Sequence, residues 1–310
     1  MTAADQNLSL GRYLSRPGVR RDPLRMLSRR VLFEAERRFA PSRLRRLRSI
    51  AYAGTMRLEV DLSHPKERTP YLCGLPEYAS ATTFLGLLRP GMNVVDAGAN
   101  VGEYTLLAAQ GAGPTGRVLA VEPNPLAAER LRRNLNLNRL DTVTVAACAV
   151  GRVAGAATLS YHPEDLRTGR ILELVGGPEE AGMRQQEVPM RPLADLVSEL
   201  GWDRIDAIKV DVEGAEADAL QGAADLIEAS RPAILFEVNG IRQGADGWRS
   251  PAIDWLRRRG YRLFSLSMDG TVPRRRELEP GSDPRPRGEP GSATNLLALH
   301  PQGRAEDSDP

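Results

Sequence analysis

The chain's 310 residues are 41% hydrophobic and carry a formal net charge of +2. That is enough for one large buried domain with extensions, and no apolar run approaches the length of a bilayer span. Two cysteines, Cys73 and Cys148, exclude a disulfide framework, show no CxxC pair for zinc and fit a reducing cytoplasm; the N-terminus has no apolar h-region of a signal peptide.

The charge is unevenly placed. Residues 1–50 hold 13 Arg and no Lys against four acids, a local balance of +9, which leaves −7 for the remainder. A basic arm on an acidic body suits an anionic surface.

The arm covers residues 1–48. Its first 23 residues have no periodicity. Leu24 to Phe39 reads as an amphipathic helix: Leu24, Leu27, Val31 and Ala35 follow helical spacing, with Arg25, Arg29, Arg30 and Arg37 elsewhere on the wheel. Pro41 stops it. The apolar stripe has two uses. It could dock on its own domain or a second subunit in a homo-oligomer. Alternatively Leu24, Leu27, Val31 and Phe39 could enter an anionic membrane surface, giving a cytoplasmic protein with reversible membrane contact. Residues 49–76 read as an irregular lead-in.

The main domain runs from 77 to 300, where strand and helix alternate. A helix at 78–88 is followed by strand 93–97, helix 102–110, strand 117–122, helix 125–138 and strand 142–148. A polar stretch with short strands (155–161, 186–190) follows. Helix 192–200, strand 205–211, helix 214–229, strand 232–238, helix 250–259 and strand 261–266 complete the alternation. Residues 270–292, rich in Pro, Arg and Gly, read as a flexible excursion. Asn295 to His300 then returns as a strand antiparallel to 261–266, and 301–310 is a disordered tail. The expected fold is a doubly wound α/β Rossmann-like sheet, mostly parallel, with one antiparallel strand near the C-terminus.

Two strand ends carry the chemistry, since open α/β sheets bind ligands there. The first is Asp96-Ala97-Gly98-Ala99-Asn100-Val101-Gly102. Gly98 allows the tight turn, and Gly102 lets the next helix start close to a ligand. A dinucleotide fingerprint would need glycine at Asn100 and at Glu103. An acid at the helix start repels pyrophosphate, which weighs against NAD and a dehydrogenase. A phosphate-free, cationic ligand such as S-adenosylmethionine fits better. Glu122 ends the next strand, where a carboxylate can accept both ribose hydroxyls. Asp96 is placed for the ligand's ammonium, and the apolar run around Ala149 for an adenine slot. The turn could also be a mere strand-to-helix connection.

The second end is Lys209-Val210-Asp211-Val212-Glu213-Gly214-Ala215-Glu216. Acids at a helix start gain from its dipole, which is the bland account of Asp211, Glu213 and Glu216. It does not account for Lys209 inside an apolar strand, which needs a carboxylate partner or a function. Glu237 ends the neighbouring strand and Asn239 follows. The cluster could supply a general base for an acceptor hydroxyl. Asp211, Glu237 and Asn239 could instead hold Mg²⁺. His162, in the polar stretch, is another possible base.

Together with Val121-Glu122-Pro123, Gly222, Pro232 to Glu237, Gly260-Tyr261 and Asn295-Leu296, these runs resemble the FkbM-type methyltransferases over about residues 75–300. Glu77-Tyr78 resembles the family's Tyr-Glu approach to the first strand with its order reversed. The resemblance implies S-adenosylmethionine-dependent O-methylation of a sugar or secondary metabolite. It gives Asp96, Gly98, Asn100 and Gly102 the cofactor-loop role and Glu122 the ribose role. Asp211, Glu213 and Glu216 fall in the family's signature. The competing expectation is a nucleic-acid methyltransferase or binder using the arm. Against it stand few aromatics for base stacking, a net acidic body, and no Asn/Asp-Pro-Pro-aromatic turn at Asp211.

Overall fold

The computed structural model describes residues 16–65, 67–175, 182–238, 242–244, 247–283 and 294–303. Helices Pro17–Arg21 (α1) and Pro23–Phe39 (α2) open it, each with proline in its first turn, where no N–H is needed. Asp22 caps α2 by accepting from Arg25 N at 3.3 Å. A 3₁₀ turn, Pro41–Arg45, leads to the antiparallel hairpin Arg48–Tyr52 (β1) and Met56–Val60 (β2), and then to helices Arg68–Cys73 (α3) and Tyr78–Leu87 (α4). The lead-in, read from sequence as irregular strands, holds the β1–β2 hairpin followed by α3. Buried Arg130 fastens it, pairing with Glu67 at 2.9 Å and donating to Glu59 O at 3.0 Å.

The alternation then runs Asn93–Ala97 (β3), Glu103–Ala112 (α5), Arg117–Val121 (β4), Pro125–Asn138 (α6) and Val143–Ala146 (β5). An inserted sheet interrupts it: Ala149–Val150 (β6), Gly155–His162 (β7), Asp165–Ile171 (β8), the short helix Leu172–Val175 (α7) and Arg184–Arg191 (β9), with strand order β6-β9-β7-β8. The main fold resumes with Leu193–Glu199 (α8), Ala207–Val210 (β10), Glu216–Gln221 (α9), Ala224–Ser230 (α10) and Ala233–Val238 (β11). The single helix expected over 214–229 is two. The break falls at Gly222, which packs so tightly that a Cβ there would lie 2.2 Å from Gly151 O.

A short hairpin, Arg242–Gly244 (β12) and Gly247–Arg249 (β13), precedes Pro251–Arg258 (α11), Arg262–Asp269 (β14), Val272–Glu277 (β15) and Thr294–Leu299 (β16). The eight-stranded main sheet has the order β15-β14-β16-β11-β10-β3-β4-β5. It is the doubly wound, Rossmann-like α/β arrangement: β11, β10, β3, β4 and β5 pair in parallel, and β16 runs antiparallel between β11 and β14. A second antiparallel strand, β15, forms the edge. It comes from the segment expected to be an excursion. Its charges and Pro273 disguised it, yet an edge strand accommodates both, and Arg262 pairs with Glu277 across the ladder at 2.6 Å. The rest of that excursion, from 284 to 292, lies outside the described residues.

Alternate residues of the central strands serve opposite faces. Val95, Ile208, Val210, Ile234 and Phe236 enter the core under α8, α9 and α11, while Val94, Ala207 and Leu235 enter the core under α4 and α5. Both faces are covered, so apolar residues occupy consecutive positions of these strands. Asp96 and Lys209 fall on the same face as Val94 and Ala207, and the parallel register sets them directly opposite each other.

Candidate active site

The carboxyl ends of β3, β4, β10 and β11 open into a cavity of about 340 Å³. The insert forms its other wall through Leu159, Leu166, Gly169, Arg170 and Ile171. Among the described residues, six carboxylates line it (Glu77, Glu103, Glu122, Asp211, Glu213 and Glu237) against Lys209 and Arg170. That balance disfavours phosphate and suits a cationic ligand.

The turn after β3 is built for close approach. Gly98 sits at φ +80°, and a Cβ on it would lie 1.8 Å from Asp211 O. Gly98 N and Ala99 N both donate to Val121 O, at 2.9 and 3.0 Å. Asn100 takes a left-handed φ of 50°; its Nδ2 donates to Leu166 O of the insert at 2.9 Å, and its Oδ1 accepts from Val101 N at 2.8 Å. Asn134, which the sequence reading missed, holds the far side of the turn by donating to Val101 O at 2.8 Å.

Glu122 is buried, with one oxygen accepting from Asn100 N and the other from Asn124 N, both at 2.8 Å. Burial pushes its pKa up to about 7; the two N–H bonds oppose the rise, and the charges of Asp96 and Asp211 add to it. Beside it Val121, Cys148, Ala149 and Val150 give an apolar slot.

Asp96 does not line the cavity. It is wholly buried, accepts from Thr105 Oγ1 at 2.6 Å, and faces Lys209 across the ladder. Burial raises its pKa, and Lys209 with Thr105 pulls it back. Its contacts lie inside the sheet rather than at the cavity surface, where the sequence reading places it. Lys209, 1% exposed, bonds Asp211 Oδ2 at 2.7 Å and lies 4.7 Å from the centre of the Tyr104 ring. Burial alone would lower its pKa; Asp211, Asp96 and Glu77 outweigh that and raise it. It is a fixed cation.

Glu77, from the turn before α4, completes the group; the sequence marked it only within the Glu77-Tyr78 pair and gave it no site role. It adopts a left-handed φ of 36°, a strained conformation of the kind that clusters at functional sites. Tyr104 OH and Asn295 Nδ2 both donate to its Oε2, at 3.2 and 2.7 Å. Its side chain is open to the cavity, but the surrounding walls desolvate it. That raises its pKa, Asp211 adds to the rise, and Lys209 opposes it.

Among the other residues named from sequence, Gly98, Asn100, Ala149, Asp211, Glu213 and Glu237 line the cavity. Gly102 and Glu216 do not: Gly102 lies against Leu131, and Glu216 Oε1 accepts from Gly214 N at 2.9 Å. His162 stands in the insert, off the cavity, with its Nδ1 accepting from Glu164 N. Asn239 lies outside the described residues. Among those described, no cluster of three His, Cys, Asp or Glu residues is arranged to hold a metal ion.

Glu122→Ala removes an acceptor and frees two backbone N–H groups. It should weaken binding of a nucleoside-type cofactor by about 1.5–3 kcal/mol. In the wild type, binding should tighten as pH rises through about 7, because the protonated carboxyl has one acceptor fewer. Stability should move the other way. A carboxyl whose folded pKa is raised from 4.5 to about 7 binds protons better folded than unfolded, so stability falls as pH rises across that window. Calorimetric titration and unfolding from pH 5 to 8 read both trends, and both should flatten in the variant.

A family model described as a methyltransferase FkbM domain matches residues 96–263. The chain is 30% identical over 203 residues to the 31-O-demethyl-FK506 methyltransferase FkbM of Streptomyces tacrolimicus, covering 57% of this chain and 75% of that protein. It is 31% identical over 219 residues to the AMB antimetabolite synthetase AmbE of Pseudomonas aeruginosa, covering 60% of this chain but 10% of AmbE. A crystal structure of methyltransferase FkbM from Methylobacillus flagellatus aligns over 75% of this chain and 52% of that one, at 20% identity and a TM-score of 0.44.

Proposed function

Since this chain belongs to the FkbM methyltransferase family, we propose that it transfers a methyl group from S-adenosylmethionine to a hydroxyl oxygen of a small carbohydrate or secondary metabolite. The cavity's chemistry fits that cofactor. Glu122 would take the ribose hydroxyls, the Gly98–Asn100 turn would lie against the nucleoside, and Cys148, Ala149 and Val150 would flank the adenine. The carboxylate-rich lining would accept a sulfonium and an ammonium and repel phosphate. When bound, the cofactor supplies an electrophilic methyl group.

The observation that carries the oxygen assignment is Glu77. A hydroxyl must lose its proton as it attacks, and a base with a raised pKa near the working pH does this best. Both hydrogen bonds to Glu77 fall on Oε2, which leaves Oε1 without a hydrogen-bond partner among the described residues, on a side chain that lines the cavity. Tyr104 cannot compete as the base, since burial and the nearby Glu77 charge keep its hydroxyl protonated. Lys209 fixes Asp211 and balances the cluster. Arg170 and the insert would select the acceptor. The relative named for 31-O-demethyl-FK506 supports an oxygen acceptor on a small molecule.

Mass spectrometry of metabolite and glycan extracts, incubated with the enzyme and deuterated-methyl cofactor, tests this. The label should appear on an oxygen of a small molecule. Label on nitrogen, or only on nucleic acid, would overturn the reading.

A further inference from the structure

We infer that α2 is a docking face for an anionic membrane surface. The helix has two apolar faces, and the domain uses only one. Met26 and Phe33 are 4% and 3% exposed and pack toward α3. Arg68 stacks on Phe33 at 5.2 Å, Arg29 stacks on Tyr71 at 5.0 Å, and Arg29 Nη1 donates to Tyr71 O at 3.1 Å. This side is a finished protein interface.

The other side carries the stripe legible in the sequence, and no described residue covers it at Leu24, Val31 or Phe39, while Leu27 of the same stripe is half-buried. Leu24 is 82% exposed, Val31 62%, Leu32 49% and Phe39 79%. At 100° per residue, Leu24, Val31 and Ala35 lie within about 40° of one another and about 180° from Met26 and Phe33. The stripe is about 22 Å long at 1.5 Å per residue. An apolar row of that length left in water marks an interaction site.

Charge selects the occupant. Arg20, Arg38, Arg43, Arg45 and Arg46 are exposed on the same segment. Its three acids are already engaged: Asp22 with Arg25 at 3.9 Å, Glu34 with Arg37 at 2.8 Å and Glu36 with Arg48 at 2.6 Å. Surplus arginine flanking an apolar row matches anionic headgroups above acyl chains. Nucleic acid would use the arginines but leave the row in water. The contact is peripheral, as no described helix is long and apolar enough to cross a membrane.

The test is flotation of the full chain with phosphatidylcholine vesicles, with and without about one-third phosphatidylglycerol. The protein should float only with the anionic vesicles at low salt and lose contact at about 1 M salt, where screening is within about 3 Å. Leu24→Asp with Val31→Asp should lower partitioning at least tenfold without moving the unfolding midpoint, because both side chains are exposed. Arg45→Ser and Arg46→Ser should each lower it about fivefold. No flotation of the wild type, or unchanged flotation of the Leu24→Asp/Val31→Asp variant, would overturn the proposal. So would a wild-type oligomer that this variant splits while neither protein floats, since a second copy then covers the stripe. Salt-resistant RNA or DNA binding without vesicle binding would also overturn it.

Discussion

Lys209→Met should destabilise the protein by about 3–5 kcal/mol near neutral pH, the range for removing one partner of a buried ion pair. Methionine fills the volume but leaves Asp96, at 0% exposure, without the cation opposite it in the sheet. Asp211 loses its 2.7 Å bond as well. The pH dependence identifies the cause. Burial already raises the pKa of Asp96, and Lys209 is the first force holding it down. Without the lysine that pKa climbs further, so the penalty is present at neutral pH and fades as acid protonates Asp96 in the folded chain. Urea unfolding at pH 5 and pH 8 should show the smaller gap from wild type at pH 5. An equal gap at both would mean that lost packing, rather than charge, dominates.

Glu77→Gln should lower kcat by about 10²–10⁴, the usual contribution of a positioned base. Cofactor affinity should change little, since Glu122 and the Gly98–Asn100 turn remain. Glutamine's carbonyl can still accept from Tyr104 and Asn295, so the fold is preserved. In the wild type the rate should rise with pH through a pKa above the ordinary carboxylate range, because the walls around Glu77 and the charge of Asp211 disfavour its ionisation. That limb should vanish in Glu77→Gln. It should move to higher pH in Lys209→Met, since Lys209 lowers the Glu77 pKa. A limb that survives in Glu77→Gln would assign the base to another group.

The two acidic strand ends were legible because strand, turn and helix there are adjacent in sequence. The same continuity revealed Lys209 as an anomaly needing a carboxylate. Its partners needed more. Asp96 meets Lys209 through strand register, which sequence periodicity does not fix, and so Asp96 looked like a ligand contact. Glu77 stayed hidden because its partners, Tyr104 and Asn295, lie 27 and 218 residues away. The only local trace was the Glu77-Tyr78 pair. The stripe of α2 was visible, but which face would dock was not. Both faces carry apolar residues, and the choice was made by α3 through Arg68 and Tyr71.

The slot between β11 and β14 is filled by the last strand of the sheet, β16. A chain emerging from the ribosome therefore makes β11 and the β14–β15 hairpin before the strand that joins them exists. Until residue 299 has emerged, that part of the sheet has two unsatisfied edges, which are prone to pairing with other chains. Asn295 arrives with the same strand and supplies the 2.7 Å bond to Glu77. Closing the sheet and completing the surroundings of Glu77, the proposed base, are thus one late event, and a nascent chain forms the Gly98–Asn100 turn well before it holds a finished cavity.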